Sequence, residues 1–159
     1  MTDNRPILLA TDGSPSAENA QRKAIELAQV LGVRLVVVSV AHLTLPTVGY
    51  GGYGYSDVVA ELTEAEHKRV EKLLETVADA ADAAGVSCTT FALDGFAVDE
   101  ICQKAVDQDV QLIIVGSHGW GAARRFFSGS VSTGLVHSAL CPVLVVPSPH
   151  EAYERAKAA

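Results

Sequence analysis

Short runs of apolar, β-branched residues alternate along this chain with longer segments of helical periodicity, and this alternation constrains the fold more than any other feature. The run RLVVVSV at Arg34–Val40 is apolar at nearly every position. Such a composition is typical of a strand in a parallel sheet that helices cover on both faces. The alternation therefore predicts an α/β fold with a parallel sheet.

Five strands and four helices can be placed on the sequence. The predicted strands are Ile7–Thr11, Arg34–Val40, Cys88–Leu93, Leu112–Val115 and Val143–Val146, and the predicted helices are Pro15–Leu31, Val58–Ala84, Val98–Val106 and Val131–Leu140. Ser14 is a favourable N-cap for the first helix and Gly32 a C-terminal stop. The buried face of that helix is predicted to consist of Ala17, Ala20, Ala24, Leu27, Ala28 and Leu31. The connection from Ala41 to about Ser56 is too rich in glycine for a stable helix.

The segment Leu112–Pro147 carries the most specific functional signal. It reads LIIVGSHGWGAARRFFSGSVSTGLVHSALCPVLVVP, an apolar strand followed by a glycine-spaced loop that reaches a helix start at Ser130. Gly116, Gly119 and Gly129 lack Cβ atoms, so the backbone there can take positive φ and approach a ligand closely. The helix start adds unpaired N–H groups and a positive dipole end. The pattern predicts a phosphate-binding site, and the alternative is that the glycines serve only turns and close helix packing.

The spacing of these residues resembles the signature of the ATP-binding branch of the universal stress protein family. That signature is Gly, two residues, Gly, nine residues, Gly and Ser, as at Gly116, Gly119, Gly129 and Ser130. The terminal CPVLVVP and the run ILLATDGS at Ile7–Ser14 extend the similarity, which covers roughly residues 5 to 147. We accordingly assign residues 1–147 to a universal stress protein-like nucleotide-binding domain and residues 148–159 to a C-terminal tail.

The resemblance implies a fold and a ligand. The fold is a Rossmann-like three-layer α/β/α sandwich whose open, parallel, five-stranded sheet has the order 3-2-1-4-5. The ligand is ATP, with ADP or AMP as alternatives and Mg²⁺ as an accompanying ion. The implied nucleotide-binding residues are Asp12, Val40, Gly116, Gly119, Gly129, Ser130 and Val131.

Two of these residues have implied roles of their own. Asp12 contacts the nucleoside side of the ligand, and an acid there can also help to hold a divalent cation near phosphates. Val40 presents the backbone amide and carbonyl of a strand end to the adenine edge. The alternatives are an Asp-Gly turn that caps the first helix and a plain core valine.

Charge and cysteine content exclude several classes of function. Twelve basic and 19 acidic residues give a net charge of −7, which disfavours nucleic acid or an anionic membrane as a partner. The three cysteines, Cys88, Cys102 and Cys141, are isolated and odd in number, which favours buried free thiols over disulfides or a zinc site. The N-terminus has no apolar leader, and no run is long enough to cross a bilayer. We therefore expect a cytoplasmic protein without membrane insertion.

The loop also departs from the family pattern. Trp120 stands where relatives often have Arg or Lys, and Ser128 where an aliphatic residue is common. Arg124 or Arg125 could replace the missing basic partner of a phosphate. His42 and His118 are expected at the carboxyl end of the sheet, but no triad, metal-spaced cluster or Walker-type loop accompanies them. No catalytic residue is assigned.

Three functions remain open from the sequence. The preferred one is a stress-response or signalling module that binds ATP, hydrolyses it slowly at most, and acts on a protein partner that the sequence does not identify. The second is an enzyme for nucleotidyl transfer or hydrolysis, although residues 11–16 read TDGSPS and lack the SGGxDS loop of such pyrophosphatases. The third is a ligand-free dimerisation module.

The last predicted strand indicates that two copies of the chain associate. Val143–Val146 would lie at the sheet edge, yet it is uninterrupted apolar sequence without the charges that guard exposed edges. Antiparallel pairing of this strand about a two-fold axis would cover it, and members of the resembling family commonly dimerise in this way. We therefore expect a homodimer through the C-terminal strand.

Overall fold

A computed structural model describes residues 3–41, 55–117 and 130–148 of the chain. Four helices and five strands alternate along these ranges. In chain order they are β1 (Ile7–Ala10), α1 (Pro15–Leu31), β2 (Leu35–Ala41), α2 (Tyr55–Ala83), β3 (Cys88–Asp94), α3 (Ala97–Asp107), β4 (Leu112–Gly116), α4 (Ser130–Ser138) and β5 (Val143–Val146).

The five strands form one parallel sheet in the order β3-β2-β1-β4-β5, as the resemblance implied. At the centre, Ala10 of β1 lies opposite Val38 of β2 and opposite Val115 of β4. The chain leaves β1 toward β2 and leaves β4 toward β5, so the two connections diverge from neighbouring strand ends. This divergence is the topological switch point at which open α/β sheets bind ligands.

Two apolar layers cover the sheet. On one face the odd-numbered residues of β1 and β2 pack against α1 and α2, including Ala20, Ala24, Val70 and Val77. On the other face the even-numbered residues pack against α3 and α4, including Ile101 and Leu135. Burial on both faces explains why β1 and β2 are apolar at nearly every position.

Helix α1 has the predicted ends. Ser14 is its N-cap and accepts a hydrogen bond from the Ala17 amide at 3.4 Å. Gly32 ends it in the left-handed conformation with φ of 67°. The prediction for Leu31 was wrong, because this side chain is 47% exposed.

Several element boundaries differ from prediction by a few residues. Helix α2 begins at Tyr55, three residues before Val58, and α4 ends at Ser138, before Leu140. Leu140 lies beyond the helix and is 90% exposed. Strand β1 ends at Ala10, because the Thr11 hydroxyl accepts a hydrogen bond from the Gly13 amide and begins a turn. Local propensity does not resolve such boundaries, since tertiary contacts decide them.

The cysteines are free thiols, but they are only partly buried, so the prediction of buried thiols was wrong in degree. Desolvation raises the pKa of Cys88, Cys102 and Cys141 above the usual value for a thiol. Cys102 and Cys141, though distant in sequence, line one cavity of about 190 Å³ beneath the end of α4.

None of the helices within the three described ranges combines the length and the apolar character that a bilayer-spanning helix needs.

Two glycines allow helices to pack closely. A Cβ atom on Gly116 would lie 2.7 Å from Ser16 Oγ and 2.9 Å from the Ala17 nitrogen, so the end of β4 touches the first turn of α1. A Cβ on Gly134 of α4 would lie 2.6 Å from Val98 Cγ2 of α3. The obstacles at Gly116 include backbone atoms of Ser16 and Ala17, whereas those at Gly134 are side-chain atoms of Val98, which can move.

We expect Gly116→Ala to lower the free energy of unfolding by about 1–3 kcal/mol, because the new methyl group must displace backbone. In urea denaturation the matched variant Gly134→Ala should cost less, because Val98 can shift and the helix gains about 1 kcal/mol in propensity. Equal stability of Gly116→Ala and the wild type would contradict this close packing.

Candidate functional site

The carboxyl ends of β1 and β4 bring two predicted site residues to one edge of the sheet. The pairing of Ala10 with Val115 places Asp12, two residues after β1, beside Gly116 at the end of β4. The amide of Ser117 continues the sheet by donating to the Val146 carbonyl at 2.9 Å. The backbone at this edge is therefore held by hydrogen bonds between neighbouring strands.

The start of α4 is held at the same edge. Ser132 Oγ donates to the carbonyl of Ser117 at 3.3 Å, which fixes the first turn of α4 against the end of β4. Ser130, the first residue of this helix, is exposed, and Val131 is partly buried against the core. The first-turn amides of a helix have no partners within the helix and can bind an anion.

Asp12 lies in a tight turn. Its Oδ1 accepts a hydrogen bond from the Ser14 amide at 2.9 Å, and Gly13 follows with φ of 76°. The Asp-Gly turn considered as an alternative is therefore present, although Ser14 and not Asp12 caps α1. A turn of this kind does not exclude a ligand contact, since a carboxylate has two oxygens and about four acceptor positions.

Val40 lies beyond the part of β2 that pairs with β1. The carbonyls of Arg34 and Val38 accept hydrogen bonds from the amides of Ile7 and Thr11, and the two-residue alternation of a strand directs the N–H and C=O of Val40 to the same side. The paired register of β1 and β2 ends at Val38, whereas β2 and β3 stay paired to Ala41. Strand β2 therefore extends beyond β1 but not beyond β3, and within the described ranges no backbone partner is found for Val40 on the β1 side.

One of the two reasons predicted for Gly116, a positive φ, was wrong. This residue is absent from the described glycines with positive φ, which are Gly13, Gly32, Gly85 and Gly95. The lack of a side chain is needed instead for the contact with Ser16 and Ala17. Packing alone therefore accounts for a glycine here, and a contact of its backbone with a ligand stays a prediction.

The remaining loop predictions lie outside the described residues. They concern Gly119, Gly129, His42, His118, Trp120, Arg124, Arg125 and Ser128. The N-terminal part of the 41–56 connection, after Ala41, and the tail after Ser148 lie outside them as well.

Sequence reasoning missed three polar groups near this edge. The hydroxyls of Ser39 and Thr133 are buried and have no hydrogen-bond partner within the described ranges. Ser39 directly precedes Val40, and Thr133 lies in the first turn of α4. Buried polar groups without partners are rare in folded proteins and often mark a place where a ligand or water binds. No sequence signal distinguishes these hydroxyls from the other Ser and Thr residues of the chain.

Arg69 is the third missed residue. It belongs to α2, yet its Nη1 donates to the carbonyl of Asp12 at 3.2 Å. Together with Asp12, Gly13 and Glu66 it lines a cleft of about 610 Å³ between α2 and the turn that follows β1. The sequence separation of 57 residues explains why no local motif reveals this contact.

This arrangement can bind an anion and an aromatic base. Helix amides and hydroxyls at the start of α4 suit phosphate oxygens, and the free edge of β2 at Val40 suits the donor and acceptor of a purine edge. Among the described residues no group of three or more His, Cys, Asp or Glu side chains is placed to hold a metal ion.

Residues 3–147 match the model of the Universal stress protein family. Among curated relatives, a universal stress protein of Methanocaldococcus jannaschii is 30% identical over 145 residues, which are 91% of this chain and 83% of the relative. A universal stress protein of Thermus aquaticus is 36% identical over 143 residues, which are 89% of this chain and 98% of the relative.

Solved structures agree on the fold. Universal stress protein UspA from Lactobacillus plantarum superposes with a TM-score of 0.79 at 22% identity, over 92% of this chain and 99% of that one. A universal stress protein in complex with cAMP superposes with a TM-score of 0.62 at 20% identity, over 91% of this chain and 98% of that one. A universal stress protein from Archaeoglobus fulgidus in complex with dAMP superposes with a TM-score of 0.57 at 24% identity, over 92% of this chain and 99% of that one.

Proposed function

Because the chain belongs to the universal stress protein family, we propose that it binds ATP at the carboxyl edge of its sheet and acts as a stress-response or signalling module. The observation that carries this proposal is the convergence of Asp12, the free edge of β2 at Val40 and the start of α4 around one switch point. The adenine nucleotides bound by two structural relatives support it.

Different residues of the proposed site bind different parts of the nucleotide. The backbone of Val40 binds the adenine edge, and Asp12 lies on the nucleoside side, where it can also help to hold Mg²⁺. The start of α4 at Ser130 and Val131 binds the phosphates, together with the backbone of Gly116, Gly119 and Gly129. The unpartnered hydroxyl of Thr133 fits the same end, since an added acceptor there would satisfy it.

AMP and other adenine nucleotides with one phosphate are the main competitors of ATP for this role, because cAMP and dAMP occupy the two relatives. Hydrolysis, if it accompanies binding, is expected to be slow, and a turnover above about 1 per second, typical of dedicated enzymes, would favour the enzyme alternative. The protein partner of the module stays unidentified, and the cytoplasmic location stays a prediction from the sequence.

We expect ATP to raise the stability of the folded protein by about 2.7 kcal/mol at a hundredfold excess over its dissociation constant. The melting temperature should rise by about 2–4 °C per kcal/mol. Differential scanning fluorimetry with ATP, ADP, AMP and cAMP ranks the ligands, and GTP should shift the transition less because its base edge is different. No shift with any adenine nucleotide at millimolar concentration would overturn the proposal.

We expect Ser130→Ala to weaken ATP binding by about 1.5–3 kcal/mol, the value of a hydrogen bond to a charged group. Ser138→Ala is the matched control, because Ser138 ends the same helix and is exposed far from the first turn. Isothermal titration calorimetry with ATP measures the affinity of each variant. Equal ATP affinities of the two variants would show that Ser130 does not contact the ligand.

We also propose a homodimer through β5. Within the described ranges this strand pairs only with β4, and Val145 is 37% exposed. Val136 on α4 and Leu140 between α4 and β5 are exposed as well, at 57% and 90%. An apolar edge strand of this kind is normally covered.

We expect the wild type to sediment as a dimer and Val145→Lys as a folded monomer, because the lysine would place a charge in the shared interface. Val58→Lys is the control: Val58 is 50% exposed but lies on α2, which packs against β2 and β3 at the other end of the sheet. Circular dichroism confirms folding of each variant. A wild type of about 17 kDa at tens of micromolar would contradict the dimer.

A further inference from the structure

Helix α2 reaches the candidate nucleotide site through the side chain of Arg69. Arg69 donates from Nε to Glu66 Oε2 and from Nη2 to Glu66 Oε1, both at 2.8 Å. Its third nitrogen, Nη1, donates to the carbonyl oxygen of Asp12 at 3.2 Å. One guanidinium thus joins a residue one turn earlier on its own helix to the turn that follows β1.

We propose that Arg69 is a positioning residue for the Asp12 turn and thereby for nucleotide binding, an inference that rests on the proposed function.

The pairing with Glu66 fixes the direction of the guanidinium. A carboxylate that accepts from Nε and Nη2 holds the planar group in one orientation, which a lysine ammonium cannot reproduce. Glu66 is the better shielded partner, with a side chain 20% exposed against 44% for Arg69. Since two of its nitrogens are held, the remaining one is directed at Asp12 with little rotational freedom.

An apolar contact supports the same turn. Leu73 lies four residues after Arg69, on the same face of α2. A Cβ atom built on Gly13 would lie 3.3 Å from Leu73 Cδ1, so Leu73 packs directly against the Asp12-Gly13 backbone. Helix α2 therefore contacts the turn with one polar and one apolar side chain.

The local charges agree with this geometry. The hydrogen bond to Glu66 raises the pKa of Arg69, and the nearby charge of Asp12 raises it further. The side chains of Arg69 and Asp12 are therefore close enough to attract each other, in agreement with the hydrogen bond to the Asp12 carbonyl.

The contact also couples the site to α2. A ligand that holds the Asp12 turn would restrain Arg69 and Leu73, and a restraint on α2 would in turn favour the binding geometry of Asp12, because coupling between sites is reciprocal. Helix α2 carries the exposed apolar residues Val58 and Leu62 and could present this change to a partner.

The test compares Arg69→Gln, Arg69→Lys and Lys72→Gln in the full chain. Lys72 is the charge-matched control, because it lines the same cleft and is exposed, but none of the hydrogen bonds found in the described part of the chain joins it to Asp12. Two readouts are needed: ATP affinity by titration, and amide hydrogen exchange at Gly13 and Ser14 by NMR in the ligand-free protein.

We expect Arg69→Gln to weaken ATP binding about tenfold, the effect of losing one charged hydrogen bond. Arg69→Lys should restore part of the affinity, and Lys72→Gln should change it by less than about twofold, since it loses only surface charge. Exchange at Gly13 and Ser14 should accelerate in Arg69→Gln alone.

Two results would overturn the inference: unchanged exchange in Arg69→Gln, or equal losses of affinity in Arg69→Gln and Lys72→Gln. If the wild type binds no adenine nucleotide but Arg69→Gln still accelerates exchange at the turn, the proposed function fails while the positioning of Asp12 by Arg69 stands.

Discussion

The structure depends on the burial of β1 between two strands and two helical layers. All four residues of β1 are at most 5% exposed, and the strand pairs with β2 on one side and β4 on the other. A central parallel strand of this kind fixes the register of both neighbours. It therefore also fixes which residues follow the strand ends at the carboxyl edge.

Close packing at that edge leaves little freedom to the candidate site. The first turn of α1 touches the end of β4 at Gly116, and Ser132 ties α4 to Ser117. The Asp12 turn is held by its own side chain and by Arg69 and Leu73 of α2. Three helices thus converge on one strand junction, and this arrangement preorganises the site before any ligand binds.

The family membership of this protein and the chemistry of its candidate site rest on different observations. The family match extends over residues 3–147, and the fold agrees with solved relatives. The ligand is proposed from the family resemblance, and the geometry supports it: helix amides at Ser130, a free strand edge at Val40 and, within the described ranges, buried hydroxyls without partners at Ser39 and Thr133. Gly116 illustrates the difference, because packing alone explains a residue that the family signature includes.

The sequence by itself determined the class of fold, the order of elements and both ends of α1, because apolar periodicity and capping residues act locally. Its resemblance to one family supplied the strand order and the position of the candidate site. Only the tertiary structure decided that Leu31 is exposed, that Gly116 serves helix packing and that Arg69 reaches Asp12. Each of these depends on contacts between segments that are distant in the chain, and no local pattern encodes such contacts.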